Sequence, residues 1–282
     1  MIPRDRLLAA GSTFAGLRVT RVLARGATGV LYLAVDADSR ALALKVLTPH
    51  TAGDDDATAL AERFAREAEV LRRLRHPAIV EVHAAGVEQQ RAYLAMTLLP
   101  GGDLRRHARA ARLLPEALVL RLGAEVADAL AHAHAQGVVH RDLKPANLVF
   151  DAASRRVWVT DFGVARMLDA QRTRSGVLLG TPAFMPPEQL AGAAAGPAGD
   201  VYALGVTLFQ LLSGELPHDG ATLGALLQAV ARGAPRSLGK LRPDLPAALA
   251  AFVAELTHPD PTSRPDATAA AERLASLQAL VR

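Results

Sequence analysis

The chain has 282 residues, half of them hydrophobic and 21% charged, which is enough to bury one large core or two modest ones and too apolar for a disordered chain. Zero cysteines exclude disulfides and thiolate metal sites, as expected of a protein in the reducing cytoplasm. The net charge is +4, but the arginines look scattered, no basic block with interleaved aromatics argues for nucleic acid, and no apolar run reaches the ~18 residues of a membrane span.

The basic residues are unevenly chosen. Of 32, only Lys45, Lys144 and Lys240 are lysines, and Asn147 is the only asparagine. A chain so poor in Lys and Asn that keeps Lys144 and Asn147 three residues apart, close behind Asp142, has them where arginine or a carboxylate would not serve.

In chain order, Leu17–Leu23 and Val30–Val35 predict two strands around the turn Ala24-Arg25-Gly26-Ala27-Thr28-Gly29. Its glycines would let backbone N–H groups approach phosphate oxygens; an ordinary hairpin turn is the alternative. No strand-turn-helix follows, which argues against a dinucleotide-binding fingerprint. The run Ala41–Leu47 predicts a strand with Lys45 inside it, on the face that carries Ala43. An interior ammonium needs a carboxylate or phosphate partner, unless Lys45 lies at an edge.

After the acidic loop Asp54–Asp56, a helix is expected from Thr58 to Leu74, with an apolar stripe of Leu60, Phe64, Leu71 and Leu74. The remaining stripe position is Glu67. Lys45 is its natural partner, the alternative being a solvated helix charge. His76-Pro77 ends this helix, and Ala78–Gly86 and Ala92–Leu98 predict two further strands. The turn Pro100–Leu104 follows, in which Asp103 either caps a helix or accepts from sugar hydroxyls. Pro115–Gly137 predicts a long amphipathic helix with Leu118, Leu122, Val126 and Leu130 on one stripe. His132 and His134 within it face different ways, so no metal site is expected from them.

Next comes the stretch His140-Arg141-Asp142-Leu143-Lys144-Pro145-Ala146-Asn147-Leu148-Val149, with Asp161-Phe162-Gly163 shortly after. It gathers an acid, a cation, an amide and a second acid, a mix suited to magnesium and phosphate. Between Asp161 and Glu188 lie Thr173 and Ser175 among arginines, then Gly180-Thr181-Pro182. Asp200 opens an apolar helix, Val201–Leu212, too short for a membrane and therefore buried. Ala267–Val281 predicts a closing helix.

The series Gly26 and Gly29, Lys45, Glu67, His140-Arg141-Asp142, Asn147, Asp161-Phe162-Gly163, Pro186-Pro187-Glu188, Asp200 and Arg264 resembles, in order and spacing, the eukaryotic-like (Hanks-type) serine/threonine protein kinases of bacterial type. The resemblance covers nearly the whole chain, and no appended domain is expected. It implies an α+β, two-lobed fold: a β-rich N-lobe over residues 1–98 with one main helix, and a mostly helical C-lobe over residues 99–282. The implied cofactors are ATP and Mg2+, with Mn2+ as an alternative, and the implied reaction is transfer of the γ-phosphoryl group to Ser/Thr hydroxyls of protein substrates.

Carried over by the resemblance, Asp142 would orient the attacking hydroxyl and accept its proton, and Lys144 would neutralise charge on the transferred group. Asn147 and Asp161 would hold two magnesium ions, and Lys45, paired with Glu67, would meet the α- and β-phosphates. Leu23, Gly26, Gly29, Leu31, Ala43, Met96, Thr97, Leu99, Asp103 and Val149 would contact the nucleotide, with backbone groups of the hinge Met96–Leu99 on adenine. Val82, Leu71, His140 and Phe162 match a hydrophobic column, although plain core packing fits them as well. Asp200 would cap the catalytic-loop backbone and Glu188 would pair with buried Arg264. A phosphate on Thr173 or Ser175, added by autophosphorylation through a transient homodimer, would pair with Arg141; the alternative is that both are ordinary polar loop residues. Two departures stand out: Ala24 replaces the first loop glycine, and Pro186 replaces the alanine before Pro-Glu. The alternatives are a pseudokinase scaffold, disfavoured by intact Lys45, Asp142, Asn147 and Asp161, and a small-molecule kinase, disfavoured by Gly180-Thr181-Pro182 and the Glu188–Arg264 pair.

Overall fold

The computed structural model describes residues 7–26, 28–47, 64, 68–162, 182–194, 196–218, 220, 222–231 and 235–281. They fall into two compact units: one holds the described residues up to Arg75 together with Ile79–Pro100, the other His76–Ala78 and the described residues from Gly101 onward.

The first unit is built on a six-stranded antiparallel sheet of order β1-β2-β3-β4-β6-β5. The strands are β1 (Thr13–Phe14), β2 (Leu17–Gly26), β3 (Gly29–Val35), β4 (Ala41–Leu47), β5 (Val82–Glu88) and β6 (Arg91–Thr97). Period-two alternation sends Val30, Tyr32 and Ala34 of β3 and Leu42, Leu44 and Val46 of β4 into one core with Phe14 and Val19, as a pleated strand requires. Ala43, Lys45 and Leu47 are buried too. Strand β4 is therefore covered on both faces, which explains its unbroken apolar run.

Two hairpins differ from the sequence expectation. Strand β2 runs on to Gly26, which pairs with Gly29, so the glycine turn shrinks to two residues. Strand β5 begins at Val82 rather than Ala78, and β6 begins at Arg91. Gln89 and Gln90 both have positive φ, 50° and 57°, the conformation that a two-residue hairpin turn demands; this turn sets the Glu88–Arg91 register. Ala78 is used elsewhere, its carbonyl accepting from Val159 N at 2.8 Å. Residues 64 and 68–73 are helical, and Phe64, Leu71 and Leu74 are buried as the stripe anticipates. Leu60 and Glu67 lie outside the described residues.

The second unit packs the helix Glu116–Ala135 against the helices Pro197–Ser213 and Ala267–Gln278. Because it has neighbours on two sides, Glu116–Ala135 buries Val119, Leu120, Ala127 and Ala129 besides Leu122, Val126 and Leu130, whereas Leu118 is only half-buried. The single stripe seen in the sequence underestimates this. Pro197–Ser213 buries 14 of its 17 residues, as its apolar circumference requires. Asp266 caps the closing helix by accepting from Ala269 N, and that helix ends at Gln278. A small sheet of β7 (Gly102–Asp103), β8 (Leu148–Asp151) and β9 (Arg156–Val159) flanks the loop from His140 to Asn147. Among the described residues no helix is long and apolar enough to cross a membrane.

Candidate active site

The loop from His140 to Asn147 is shaped by main-chain contacts. Fully buried His140 places Nε2 2.8 Å from Thr160 O, and its Nδ1 accepts from Asp142 N at 3.2 Å. A carbonyl on one side and an N–H on the other fix the Nε2–H tautomer. Its ring also meets Phe162 edge-on at 4.7 Å. Arg141 has φ 68°, an uncommon backbone for a non-glycine residue, and it turns the chain so that Asp142 follows. Pro145 then starts a single 3₁₀ turn, Pro145–Asn147.

The Asp142 carboxylate is held from two directions. Lys144 Nζ donates to Oδ1 and Oδ2 at 2.8 and 2.7 Å. Asn147 Nδ2 donates to Asp142 O at 2.7 Å and to Oδ2 at 3.1 Å. The Asn147 main chain in turn receives Thr160 N at 2.9 Å, so β9 and the loop hold one another. Asp161 follows Thr160 with φ 64°. This gives an acceptor carboxylate, a cation and an amide in a fixed arrangement. The direct Lys144–Asp142 pair is not apparent in sequence.

Beneath the loop lies Asp200, 1% exposed. Its Oδ2 accepts from His140 N at 2.7 Å and its Oδ1 from Arg141 N at 2.8 Å, the cap expected of it. A third contact, from His134 Nε2 at 2.8 Å, was not foreseeable, because nothing in the sequence links helix residue 134 to residue 200. His132 instead meets Gln136 at 2.7 Å.

Glu188 and Arg264 form the expected buried pair, with Nη1–Oε1 2.7 Å and Nη2–Oε2 2.9 Å. Arg264 also donates to His258 O, Ala198 O and Pro259 O. All five N–H groups of the guanidinium are thereby matched, which a lysine could not do. Tyr202 lies under that guanidinium at 4.9 Å, and burial pushes its hydroxyl up to about 12. Pro186 packs against Gly199, where even a Cβ would make only ordinary contact with Pro186 Cγ, at 3.4 Å. A small cleft is lined by Arg141, Asp142, Phe184, Met185 and Pro186. Arg141 Nε is buried, with no hydrogen-bond partner among the described residues. Thr173, Ser175, Gly163 and Gly180-Thr181 lie outside the described residues, as does Glu67.

In the first unit, Lys45 is 7% exposed and sits between Leu31 of β3 and Leu94 of β6 in register. Ala43 and Met96 are buried, and Leu23, Leu31, Thr97 and Leu99 are half-buried. Gly29 has a steric reason to be glycine, since a Cβ would run into the Val46 carbonyl. Thr97 N donates to Glu81 O at 3.0 Å, and the Thr97 hydroxyl lies 2.9 Å from His83 Nε2, another contact missed in sequence. In the second unit Val149 is half-buried on β8. Asp103 is a helix cap: it accepts from Arg105 N at 3.0 Å and grips the Arg105 guanidinium at 2.8 Å through both oxygens. The Arg105 hydrogen bond holds this carboxyl below its ordinary value. The cap, one of its two sequence readings, is thus present.

A family model described as the protein kinase domain matches residues 17–274. Serine/threonine-protein kinase PknJ of Mycobacterium tuberculosis is 42% identical over 265 residues, which cover 91% of this chain and 44% of that protein. PkaB of Streptomyces coelicolor is 40% identical over 217 residues, covering 74% of this chain and 51% of that protein. The chain therefore spans about half the length of these relatives. The crystal structure of the M. tuberculosis PknI kinase domain matches with a TM-score of 0.77 at 36% identity, covering 98% of this chain and 100% of that one. With motifs, β-rich and helical units and relatives all in agreement, the chain belongs to the protein kinase domain family.

Proposed function

We propose that this chain is a protein serine/threonine kinase that transfers the γ-phosphoryl group of ATP to Ser/Thr hydroxyls of proteins. The observation that carries this reading is the Asp142 carboxylate, gripped by Lys144 and Asn147 in a loop anchored on Asp200. Phosphoryl transfer needs positioning and fixed charge rather than an enzyme nucleophile, and these groups supply both. Asp142 accepts the substrate hydroxyl's proton, and Lys144, already beside it, offsets charge on the group in transfer.

The donor set suits a hard divalent cation. Asn147 gives its NH₂ to Asp142, which leaves the side-chain oxygen as a donor, and Asp161 adds a carboxylate; oxygen donors favour Mg2+ or Mn2+. When bound, the metal neutralises phosphate oxygens. Lys45, with Glu67 as its partner, serves the α- and β-phosphates. Leu23, Leu31, Ala43 and Val149 contact adenine with the backbone of Met96–Leu99, and Gly26 and Gly29 approach the phosphates. Arg141, whose Nε has no partner among the described residues, would receive a phosphate from Thr173 or Ser175, placed there by a second copy in a transient homodimer. ATP as donor puts the reaction in the cytoplasm.

The test is incubation with labelled ATP and Mg2+ beside a basic protein substrate, with mapping of the labelled residues. Label on Ser or Thr is expected, and it should fall at least tenfold in Thr173→Ala, Ser175→Ala. Label on a small metabolite but on no protein would overturn the reading.

A further inference from the structure

We infer that Arg106, Arg109 and Arg112 form a docking surface for acidic side chains of the protein substrate, an inference that rests on the kinase reading above. Residues 104–115 contain four arginines and no carboxylate. The two acids that flank them are already matched: Asp103 holds Arg105 at 2.8 Å, and Glu116 holds Arg242 at 2.6 Å. Arg105 is thereby neutralised, while Arg106, Arg109 and Arg112 are exposed and take part in none of the ion pairs found among the described residues. Elsewhere in this unit, Arg121, Arg236, Arg242, Arg264 and Arg273 each have a carboxylate. Arg141, Arg155 and Arg156 of this unit have no carboxylate among the described residues either, so what sets this segment apart is the gathering of three exposed, unmatched guanidiniums within seven residues.

Their position gives the exception a use. The 3₁₀ turn Leu104–His107 anchors fully buried Leu104 and packs against the turn Pro145–Asn147 of the catalytic loop. The next turn, Ala110–Arg112, is pressed on the end of the helix Pro197–Ser213. Gly214 there has φ 78°, and a Cβ would run into the Ala110 backbone. Arg106 is thus fixed beside the loop that carries Asp142, while Arg109 and Arg112 lie toward Gly214, about 20 Å along the helix from the Asp200 that anchors the loop. A polypeptide whose hydroxyl sits at Asp142 would reach them with about six extended residues. Guanidinium favours carboxylate partners, and an unmatched positive surface concentrates acidic chains around it.

The probes are a serine peptide with glutamates spread over the residues up to about eight positions from the serine and the same peptide with glutamines, assayed with the parent and with an Arg106→Gln, Arg109→Gln, Arg112→Gln variant. All three side chains are exposed, so the variant keeps its thermal midpoint. Since each exposed pair contributes little alone, the expected effect is about a tenfold rise in KM for the glutamate peptide, with kcat and the glutamine peptide's KM unchanged. Salt at ~0.5 M should erase the difference, because screening is then short-ranged. Equal KM values for both peptides in the parent, or no change in the variant, would overturn the inference. If the parent transfers no phosphate, the kinase reading fails on its own. Fluorescence anisotropy of a labelled glutamate peptide then decides the docking surface: tighter binding by the parent than by the variant upholds it, and equal binding rejects it.

Discussion

Asp200 and His134, 66 residues apart in the chain, meet at 2.8 Å in the second unit, and the same carboxylate holds the N–H groups of His140 and Arg141. One buried acid thus ties two helices to the backbone that presents Asp142. Asp200→Asn keeps the shape but removes the charge and turns one acceptor into a donor. Each buried hydrogen bond to a charged group contributes about 1.5–3 kcal/mol, so the variant should lose about 2–4 kcal/mol of stability and most of its turnover. Urea unfolding reads the first and a peptide assay the second; an unchanged midpoint would mean the clamp is not stabilising.

The Glu188–Arg264 pair is sensitive to geometry. Arg264→Lys keeps the charge but can serve at most three of the five acceptors now matched. Disrupting such a buried pair typically costs about 3–5 kcal/mol. Thermal unfolding should show a clear drop in midpoint for the lysine variant, and near-parent behaviour would contradict the account of why arginine is there.

Acid stability follows from Glu116. Its hydrogen bond with Arg242 is the main cause that holds its carboxyl below the ordinary 4.5. A lowered folded-state value means that the unfolded chain takes up the proton first as the pH falls. This contribution is complete above about pH 4.5 and is lost below it. The thermal midpoint of the parent should fall more steeply between pH 5 and pH 3 than that of Glu116→Gln. Parallel curves would rule out the linkage.

His83 acts in a higher window. Arg40 can only donate, so the 3.1 Å contact of its Nη2 with His83 Nε2 requires that nitrogen to be unprotonated. The Thr97 hydroxyl at 2.9 Å then donates to it as well. Burial first, and Arg40 second, hold the imidazole below its ordinary 6.5. With the folded value lowered, stability from this group is present above about pH 6.5 and is lost as the pH falls. Urea midpoints should decline from pH 7.5 to 5.5 in the parent and decline less in His83→Leu; equal declines would contradict the linkage.

Much of this was legible in the chain because certain residue types are scarce or out of place. Asn147 is the only asparagine, and Lys45 is a cation inside an apolar run; both were found for that reason. Glu188 and Arg264 were found by motif spacing. What the sequence hid depends on contacts between distant segments. His134 looks like any polar residue on a helix until Asp200 is brought beside it, and the Arg40–His83–Thr97 cluster joins three segments. The start of β5 was misjudged because the apolar run Ala78 to Val80 is buried and makes only an isolated bridge at Ile79, with Ala78 O bonded to Val159 N, instead of joining the sheet of β5. The breadth of the Glu116–Ala135 helix's buried surface was underestimated because it has neighbours on two sides.

The most direct measurement is phosphate transfer from labelled ATP by the parent and by Asp142→Asn, both checked for equal thermal midpoint and nucleotide binding. The account predicts label on serine or threonine with the parent and a loss of at least a hundredfold with the variant, since the amide keeps the shape but cannot take the proton. Equal transfer by the two proteins, or nucleotide binding without transfer by the parent under any activating phosphorylation, would contradict it.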